Sequence, residues 1–177
     1  MRRFDTTLRT VAVWDEAWCL RFNHAAGIPW ICALFRAVSR LGDGIFWYAL
    51  MAGLLALGGK AAVPAVAHMA VVGALGVLLY KWLKSQTLRP RPYQVKAAIL
   101  RGADPLDNFS FPSGHTLHAV SFSILAIAHF PPTAYLVLPF AALVAASRLV
   151  LGLHYPTDVL AGAALGATLA LASLAIV

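Results

Sequence analysis

Two histidines in the second half of the chain have the neighbours that a nucleophile and a general acid require. His154 is followed four residues later by Asp158. A carboxylate against one imidazole nitrogen fixes the tautomer, leaves the other nitrogen free to attack, and stabilises the imidazolium that forms. His115 is the candidate that protonates a leaving alkoxide, an effect of typically about 10²–10⁴-fold. These residues predict covalent group transfer through His154, with His115 as the acid.

Cations and backbone donors in the same half of the chain suit a phosphoryl group. Phosphoryl transfer depends mainly on positioning and on stabilising the charge of the non-bridging oxygens. Arginine offers a planar fork for phosphate, and lysine a compact point charge. A helix that opens at Ser113-Gly114 would add free N–H groups, and Gly114 lets the backbone come close. We therefore predict a phosphate-binding set of five residues: Lys84, Arg91, Ser113, Gly114 and Arg148.

The composition places this chemistry in a membrane protein. The chain is 60% hydrophobic and 12% charged, whereas soluble domains carry about 25% charged residues. A helix crosses the hydrocarbon with about 20 apolar residues, and four runs lack Lys, Arg, Asp and Glu: 44–59, 61–80, 113–147 and 159–177. The third run is divided at Pro131-Pro132, because proline cannot continue a helix. We predict an all-α, polytopic transmembrane helix bundle of five long spans. A hydrophobic soluble core is disfavoured because too little polar surface remains to cover it.

Residues 1–40 have a different pattern. Apolar residues recur at roughly helical spacing and predict an amphipathic helical region at the membrane surface. Asp15 and Glu16 interrupt any apolar segment of a signal peptide. Cys19 and Cys32 lack metal-ligand spacing and are interpreted as small apolar fillers. A sixth span over residues 20–40 is the alternative.

Five spans bring the chemistry to one membrane face. The second span ends near Lys84, the third begins near Ser113, and the fourth returns near Arg148, just before His154. Polar residues at such a boundary are functional candidates. The long polar connection over residues 85–112 lies on the same face. We treat residues 1–177 as a single domain, with the catalytic motifs within residues 84–158.

Three segments together resemble the signature of the type-2 phosphatidate phosphatase superfamily. Its pattern is Lys-x6-Arg-Pro, then Pro-Ser-Gly-His, then Ser-Arg-x5-His-x3-Asp. Every fixed position is met, by Lys84, Arg91, Pro92, Pro112, Ser113, Gly114, His115, Ser147, Arg148, His154 and Asp158. The resemblance implies a phosphohistidine on His154, oriented by Asp158, with His115 as acid. It implies no metal and no other cofactor for the phosphatases of the family.

The resemblance implies an integral-membrane enzyme that hydrolyses a lipid phosphate or pyrophosphate. Undecaprenyl pyrophosphate is the first choice of substrate, and phosphatidylglycerophosphate and phosphatidate are alternatives. A lipid phosphotransferase using the same site, or a non-catalytic lipid-binding membrane protein, are the competing functions. The expected partners are the lipid substrate and the bilayer, and the oligomeric state is open. Nucleic acid is a poor explanation of the net charge of +7, because the basic residues gather at membrane boundaries and in one loop.

The location follows from the family and from charge. Bacterial members usually face the periplasm or exterior, so the expected location is the inner membrane with the site facing outward. With five spans, the N-terminal arginines share the active-site face, and the positive-inside rule would place that face in the cytoplasm. A sixth span would move part of that charge to the other side.

Several residues that are not fixed positions of the motifs have simpler interpretations. Arg89 is interpreted as an interfacial anchor, and Asp43 as a turn or cap residue in Leu-Gly-Asp-Gly. His118 is interpreted as a packed helix residue in preference to a pocket residue. The Gly162 and Gly166 pair, spaced Gly-x3-Gly, predicts close helix packing.

Overall fold

Helices account for 82% of residues 2–176, and this range contains no β-strand, so the all-α prediction is confirmed. The computed structural model describes residues 2–176, with side chains from residue 9 onward. Met1 and Val177, the ends of the predicted domain, lie outside that range. The α-helices within it are α1 (Arg2–Asn23), α2 (Pro29–Arg40), α3 (Phe46–Gly58), α4 (Val63–Thr87), α5 (Pro92–Val95), α6 (Gly114–His129), α7 (Ala134–Val150) and α8 (Pro156–Leu174).

Three helical stretches among residues 2–176 are long and apolar enough to cross a membrane: Pro29–Thr87, Pro131–Val150 and Pro156–Leu174. The first contains α2, α3 and α4, which follow one another through a π-helical turn at Leu41–Ile45 and a 3-10 turn at Gly59–Ala62. The predicted break at Pro131-Pro132 is confirmed, because a 3-10 turn there separates α6 from α7. The architecture is that of a membrane helical bundle.

Helix α1 is amphipathic, as predicted, and its polar side faces the bundle. Asp15, Cys19 and Asn23 follow one another at intervals of four residues and are buried, which places them on one face of the helix. The Asn23 amide donates to the carbonyl oxygens of Leu100 and Val150 at 2.8 and 2.9 Å. The exposed face of α1 and α2 carries large apolar side chains, namely Val11, Val13, Trp14, Trp18, Phe22, Trp30 and Leu34. Such an outward apolar face suits a membrane interface.

Helix α6 lies at the centre of the bundle, between α4, α7 and α8. Leu117 and Leu125 are fully buried. The closest approach is to α8, because a Cβ atom added at Gly162 would collide with the Ser113 carbonyl oxygen and one at Gly166 with that of Leu117. The predicted close packing at the Gly-x3-Gly pair is therefore confirmed. It fixes the start of α6, where the second motif lies, against the first turns of α8.

We predict that Gly162→Ala lowers both the thermal stability of the protein and the turnover of its substrate. The added methyl group must push the Ser113 backbone away from α8, and overpacking of this kind costs about 1–3 kcal/mol. Differential scanning fluorimetry in detergent and an activity assay provide the two measurements. Gly53→Ala is the matched control, because nothing lies within 4 Å of a Cβ at Gly53 in α3. Equal effects of the two substitutions would contradict the packing argument.

Candidate active site

The first motif ends α4 and turns Arg91 into the protein. Leu88 takes a left-handed conformation with φ of 48° just after the helix ends at Thr87. Arg91 is extended, with φ and ψ of −76° and 153°, as the following Pro92 predicts. Its buried guanidinium donates from Nη1 to the Leu153 carbonyl oxygen at 2.8 Å and lies 3.3 Å from Nε2 of His154. The first and third motifs therefore meet directly.

The second motif opens α6. Ser113 is the N-cap residue, and its backbone N–H donates to the carbonyl oxygen of Asp158 at 3.0 Å. The Ser113 hydroxyl is fully buried and lies 3.0 Å from Oγ1 of Thr116. Gly114 and His115 line the cavity that Lys84 and His154 also line, whereas Ser113 does not. The predicted role of the Ser113 hydroxyl in phosphate binding thus stays a prediction, and in this structure that hydroxyl pairs within its own helix turn.

The third motif joins α7 to α8 through a tight turn. Arg148 is buried near the end of α7, and its Nη1 donates to the Ser39 hydroxyl at 2.6 Å. The backbone N–H groups of Leu153 and His154 both donate to the Arg148 carbonyl oxygen at 3.1 Å. Gly152 has φ of 68°, a conformation that glycine adopts without strain. This turn places the His154 ring beside the Arg148 and Arg91 side chains.

Asp158 faces His154 without a hydrogen bond between them. Its Oδ2 lies 3.7 Å from Nδ1 of His154, and that buried nitrogen has no hydrogen-bond partner among residues 2–176. Oδ2 instead accepts the backbone N–H of Tyr155 at 2.8 Å, as part of the N-terminal cap of α8. The residue therefore stands where a carboxylate would stabilise a histidine cation, at a distance that a small movement would close.

His154 is prepared to act as a neutral nucleophile. Its burial, together with the positive charges of Arg91 and Arg148, lowers its pKa well below the ordinary value. Arginine can only donate hydrogen bonds, so the 3.3 Å contact from Arg91 requires Nε2 of His154 to be the acceptor. The ring proton is then on Nδ1, the nitrogen that faces Asp158. The lone pair on Nε2 points towards the cations predicted to hold phosphate.

Arg89 holds Asp158 in place, in contrast to its interpretation as an interfacial anchor. Its Nη1 donates to Oδ1 of Asp158 and its Nη2 to Oδ2 of Asp15, both at 2.7 Å. The guanidinium also lies 4.2 Å from the centre of the Tyr155 ring. Asp15 completes the network by accepting the Thr157 backbone N–H at 3.0 Å. Arg89 had no sequence signal of its own, because both of its carboxylates lie far along the chain.

One cavity of about 440 Å³ brings most of the predicted site residues together. Of the eight predicted residues, six line it: Lys84, Arg91, Gly114, His115, Arg148 and His154. Ser113 and Asp158 lie behind its wall. Away from the cations the lining becomes apolar and is provided by α3, α4 and α6, through Trp47, Tyr48, Met51, Ala70, Ala74, Val77 and Phe122. The cavity therefore combines a cationic end with an apolar one.

Asp107 occupies the cationic end of this cavity. Both of its carboxylate oxygens accept from Nζ of Lys84 at 2.8 Å, and Oδ1 also accepts from Nη2 of Arg91 at 2.8 Å. Although burial opposes it, the positive charges of Lys84 and Arg91 hold the pKa of Asp107 below its ordinary value. An anionic carboxylate thus sits between two predicted phosphate ligands. Sequence reasoning missed it, because nothing distinguishes Asp107 from other polar residues of the 85–112 connection.

Three further histidines have defined surroundings. His118 lines the cavity, and its ring nitrogens lie 3.0 and 3.1 Å from the carbonyl oxygens of Gly114 and Gly73. His118 therefore both joins α4 to α6 and lines the cavity. His68 and His129 lie towards the other end of α4 and α6, with ring nitrogens 3.2 Å apart. Among the side chains of residues 9–176, no three His, Cys, Asp or Glu are grouped to hold a metal ion.

The geometry defines a helical membrane protein with a histidine and cation site at one end of the bundle. Comparison with known proteins gives the family: the PAP2 superfamily matches residues 61–177. The chain belongs to the PAP2 superfamily, which confirms the resemblance seen in the three motifs.

Three similar proteins align with most of the chain. Decaprenylphosphoryl-5-phosphoribose phosphatase of Mycobacterium tuberculosis is 33% identical over 151 residues, which is 79% of this chain and 77% of the relative. The transmembrane PAP2-type phosphatidylglycerolphosphate phosphatase of Bacillus subtilis superposes with a TM-score of 0.73 at 27% identity, covering 94% of this chain and 86% of the other. LpxE of Aquifex aeolicus gives a TM-score of 0.73 at 25% identity, covering 87% and 92%. The predicted assignment to the hydrolases is confirmed by these phosphatase relatives.

We predict that Asp15→Asn destabilises the protein far more than Glu16→Gln does. Asp15 is fully buried and accepts from the partly exposed Arg89 and from the Thr157 backbone N–H, and losing hydrogen bonds to a charged group costs about 1.5–3 kcal/mol. Glu16 pairs with Lys96 where both side chains are exposed, and such pairs contribute about 0–1 kcal/mol. Thermal unfolding in detergent measures both. Similar melting temperatures for the two variants would show that the Asp15 network does not support the fold.

We predict that Asp107→Asn strengthens inhibition by inorganic phosphate. The carboxylate competes with phosphate for Lys84 and Arg91, and its neutral replacement would leave both cations available. Because the Asp107 carboxylate no longer competes, we expect the inhibition constant for phosphate to fall roughly 3- to 10-fold. Asp104→Asn is the control, because Asp104 is exposed and pairs with Arg101 in the same connection. An unchanged or raised constant for Asp107→Asn would mean that Asp107 supports the cations more than it competes for them.

Proposed function

We propose that this protein hydrolyses the phosphate ester or diphosphate of a membrane lipid through a phosphohistidine on His154. One observation carries the proposal: a buried, neutral histidine places its unprotonated Nε2 beside Arg91 in a cavity that is cationic at one end and apolar at the other. The cationic end suits a phosphate and the apolar end suits a lipid chain. The phosphatases among the relatives support the same reaction class.

The reaction follows from the positions of the residues. Lys84, Arg91 and Arg148 hold the non-bridging oxygens and offset the charge that spreads over them in the transition state. Nε2 of His154 forms a bond to phosphorus while the bond from that phosphorus to the lipid oxygen, or to the bridging oxygen of a diphosphate, breaks. A leaving alkoxide receives a proton from His115, whereas the lipid phosphate released from a diphosphate can leave as an anion. Asp158 faces Nδ1 of His154 and stabilises the positive ring while the phosphate is attached.

Water completes the cycle at the same phosphorus. It loses a proton to His115, its oxygen bonds to phosphorus, and the bond to Nε2 of His154 breaks. Inorganic phosphate leaves, and both histidines return to their starting state. Asp107 then binds Lys84 and Arg91 again, so that neither cation is left buried without a partner. No step of this sequence uses a metal ion.

The substrate is proposed from the cavity and the relatives. The name of the mycobacterial relative describes a decaprenyl-linked phosphate, and that of the Bacillus relative a phosphatidylglycerol phosphate. Both combine a phosphate with a long apolar group, as the cavity does. Undecaprenyl pyrophosphate remains our first choice, because it carries a polyprenyl chain. Phosphatidylglycerophosphate and phosphatidate are the alternatives.

We further propose five spans, formed by α3, α4, α6, α7 and α8. Helix α6 is short for a span but lies in the middle of the bundle, where its neighbours cover it. This count brings the ends of α4 and α7 and the starts of α6 and α8 to one face, which is where the cavity lies. The proposed location is the bacterial inner membrane, with the cavity facing the periplasm or exterior.

The test is phosphate release by the detergent-purified protein with chelator present and no added metal. The panel contains undecaprenyl pyrophosphate, phosphatidylglycerophosphate, phosphatidate and a decaprenylphosphoryl phosphopentose. We expect at least one lipid to be hydrolysed, and His154→Ala to lower turnover by at least about 10³-fold, as for loss of a nucleophile. A brief reaction with ³²P-labelled substrate should label the wild type with an acid-labile, base-stable phosphate.

The control is His24→Ala, since His24 is exposed in the turn after α1. It should retain normal turnover. Hydrolysis by His154→Ala at the wild-type rate would eliminate the phosphohistidine mechanism. Transfer of phosphate to an added lipid alcohol, with no release to water, would instead establish the phosphotransferase function.

A further inference from the structure

The junction between α2 and α3 reaches the active site from outside the part of the chain that matches the family. Residues 41–45 form a π-helical turn, a feature that often marks functional positions. Gly44 within it has φ of 140°, and a Cβ there would lie 2.8 Å from the Tyr48 ring. The junction precedes residue 61, where the family match begins. No motif drew attention to it.

The junction delivers two polar side chains to the motif residues. The Ser39 hydroxyl accepts from Arg148 Nη1 at 2.6 Å. The Asp43 carboxylate is hydrogen-bonded to Nε2 of His115. Gly42 allows the approach, because a Cβ there would lie 3.0 Å from Val144 and 3.7 Å from the His115 ring. The backbone therefore passes directly beside the histidine that we assign as the acid.

Among residues 9–176, whose side chains the structure describes, the ionic partner of Asp43 is His115. Asp43 also lines the catalytic cavity, and its side chain is 32% exposed. A carboxylate that accepts a hydrogen bond from one imidazole nitrogen keeps a proton on that nitrogen. The hydrogen bond of the His115 ring to Asp43 uses Nε2, which leaves Nδ1 as the other ring nitrogen. The second nitrogen is therefore the one that is available for proton exchange.

We propose that Asp43 is a positioning residue that assigns the two nitrogens of His115 to different tasks. Asp43 keeps the Nε2 proton throughout the cycle and fixes the ring. Nδ1 gives its proton to the lipid alkoxide as the phosphorus–oxygen bond breaks. Nδ1 then recovers a proton from the water that attacks the phosphohistidine. The inference rests on the proposed function, because it requires a leaving alkoxide and a phosphoenzyme.

This arrangement gives the site two histidine–carboxylate pairs, one for the nucleophile and one for the general acid. Asp158 faces the nucleophile His154, and Asp43 faces the acid His115. During formation of the phosphohistidine, the half-reaction that kcat/KM reports, the second pair matters only where a leaving group needs a proton. A purely structural role for Asp43 would affect all substrates alike. The dependence on leaving group therefore separates the two roles.

The test compares dodecyl phosphate, whose alkoxide requires protonation, with 4-nitrophenyl phosphate, whose aryl oxide leaves without it. We expect Asp43→Asn to lower kcat/KM by about 10- to 100-fold on dodecyl phosphate, part of the usual general-acid effect. On 4-nitrophenyl phosphate the loss should stay below about 3-fold. His115→Ala should show the same selectivity, and Asp104→Asn should change neither rate. Asp43→Glu, which retains the carboxylate, should recover part of the lost rate on dodecyl phosphate.

A double variant guards against a folding defect. If Asp43 acts through His115, then Asp43→Asn adds no further loss in a His115→Ala background, whereas independent effects would add. Equal losses on both substrates, or additive losses in the double variant, would overturn the inference. The proposed function would still stand if His154→Ala is inactive and His115→Ala is selective. A wild type that hydrolyses no phosphate ester would overturn both.

Discussion

Asp158 is the residue through which the separate parts of the structure are connected. Its backbone carbonyl accepts the N–H of Ser113 at the start of α6, and its Oδ2 caps α8 at Tyr155. Its Oδ1 binds Arg89 in the first motif, which in turn binds Asp15 in α1. Three motifs and, through Arg89, the N-terminal helix therefore meet at this one residue. Its carboxylate lies opposite the proposed nucleophile.

The second constraint is the burial of positive charge. Lys84, Arg91 and Arg148 are almost inaccessible to solvent, and a buried cation without a partner is expensive. Asp107 offsets the charge of Lys84 and Arg91, whereas Arg148 has only the Ser39 hydroxyl on its Nη1 and no partner on its Nε. A bound phosphate would satisfy the donors that remain open. The burial of the cations thus explains both why the site would bind phosphate and why Asp107 pairs with Lys84 and Arg91.

Local sequence was sufficient for the helices and for the motif residues. Uncharged runs predicted α3, α4, α6, α7 and α8, and Pro131-Pro132 marked the division between two of them. Six of the eight predicted site residues line one cavity, because each motif lies at a helix end that the topology brings to the same face. The five-span count remains a proposal, since three helical stretches in residues 2–176 meet the criteria of length and composition.

The residues that sequence reasoning missed share one property. Arg89, Asp107 and Asp43 act through partners that are distant in sequence or lie in irregular segments, so no spacing rule connects them. Arg89 bonds to residues 69 and 74 positions away, and Asp43 to one 72 positions away. Periodicity identified α1 as amphipathic but did not indicate which face meets the protein. The polar face of α1 is the buried one, because its side chains form hydrogen bonds to α8 and to the turn after α7.

The two faces of α1 consequently differ in how many kinds of side chain each position can accept. Trp14, Trp18 and Phe22 face outward, where many apolar side chains would serve equally well. Asp15 and Asn23 each satisfy several specific bonds, and few other side chains have the same shape and chemistry. Among descendants of this sequence, the outward positions should drift freely within an apolar alphabet while the inward ones stay fixed. In this helix, the polar side chains face the protein interior and the apolar ones face outward, the reverse of a helix on a water-soluble protein.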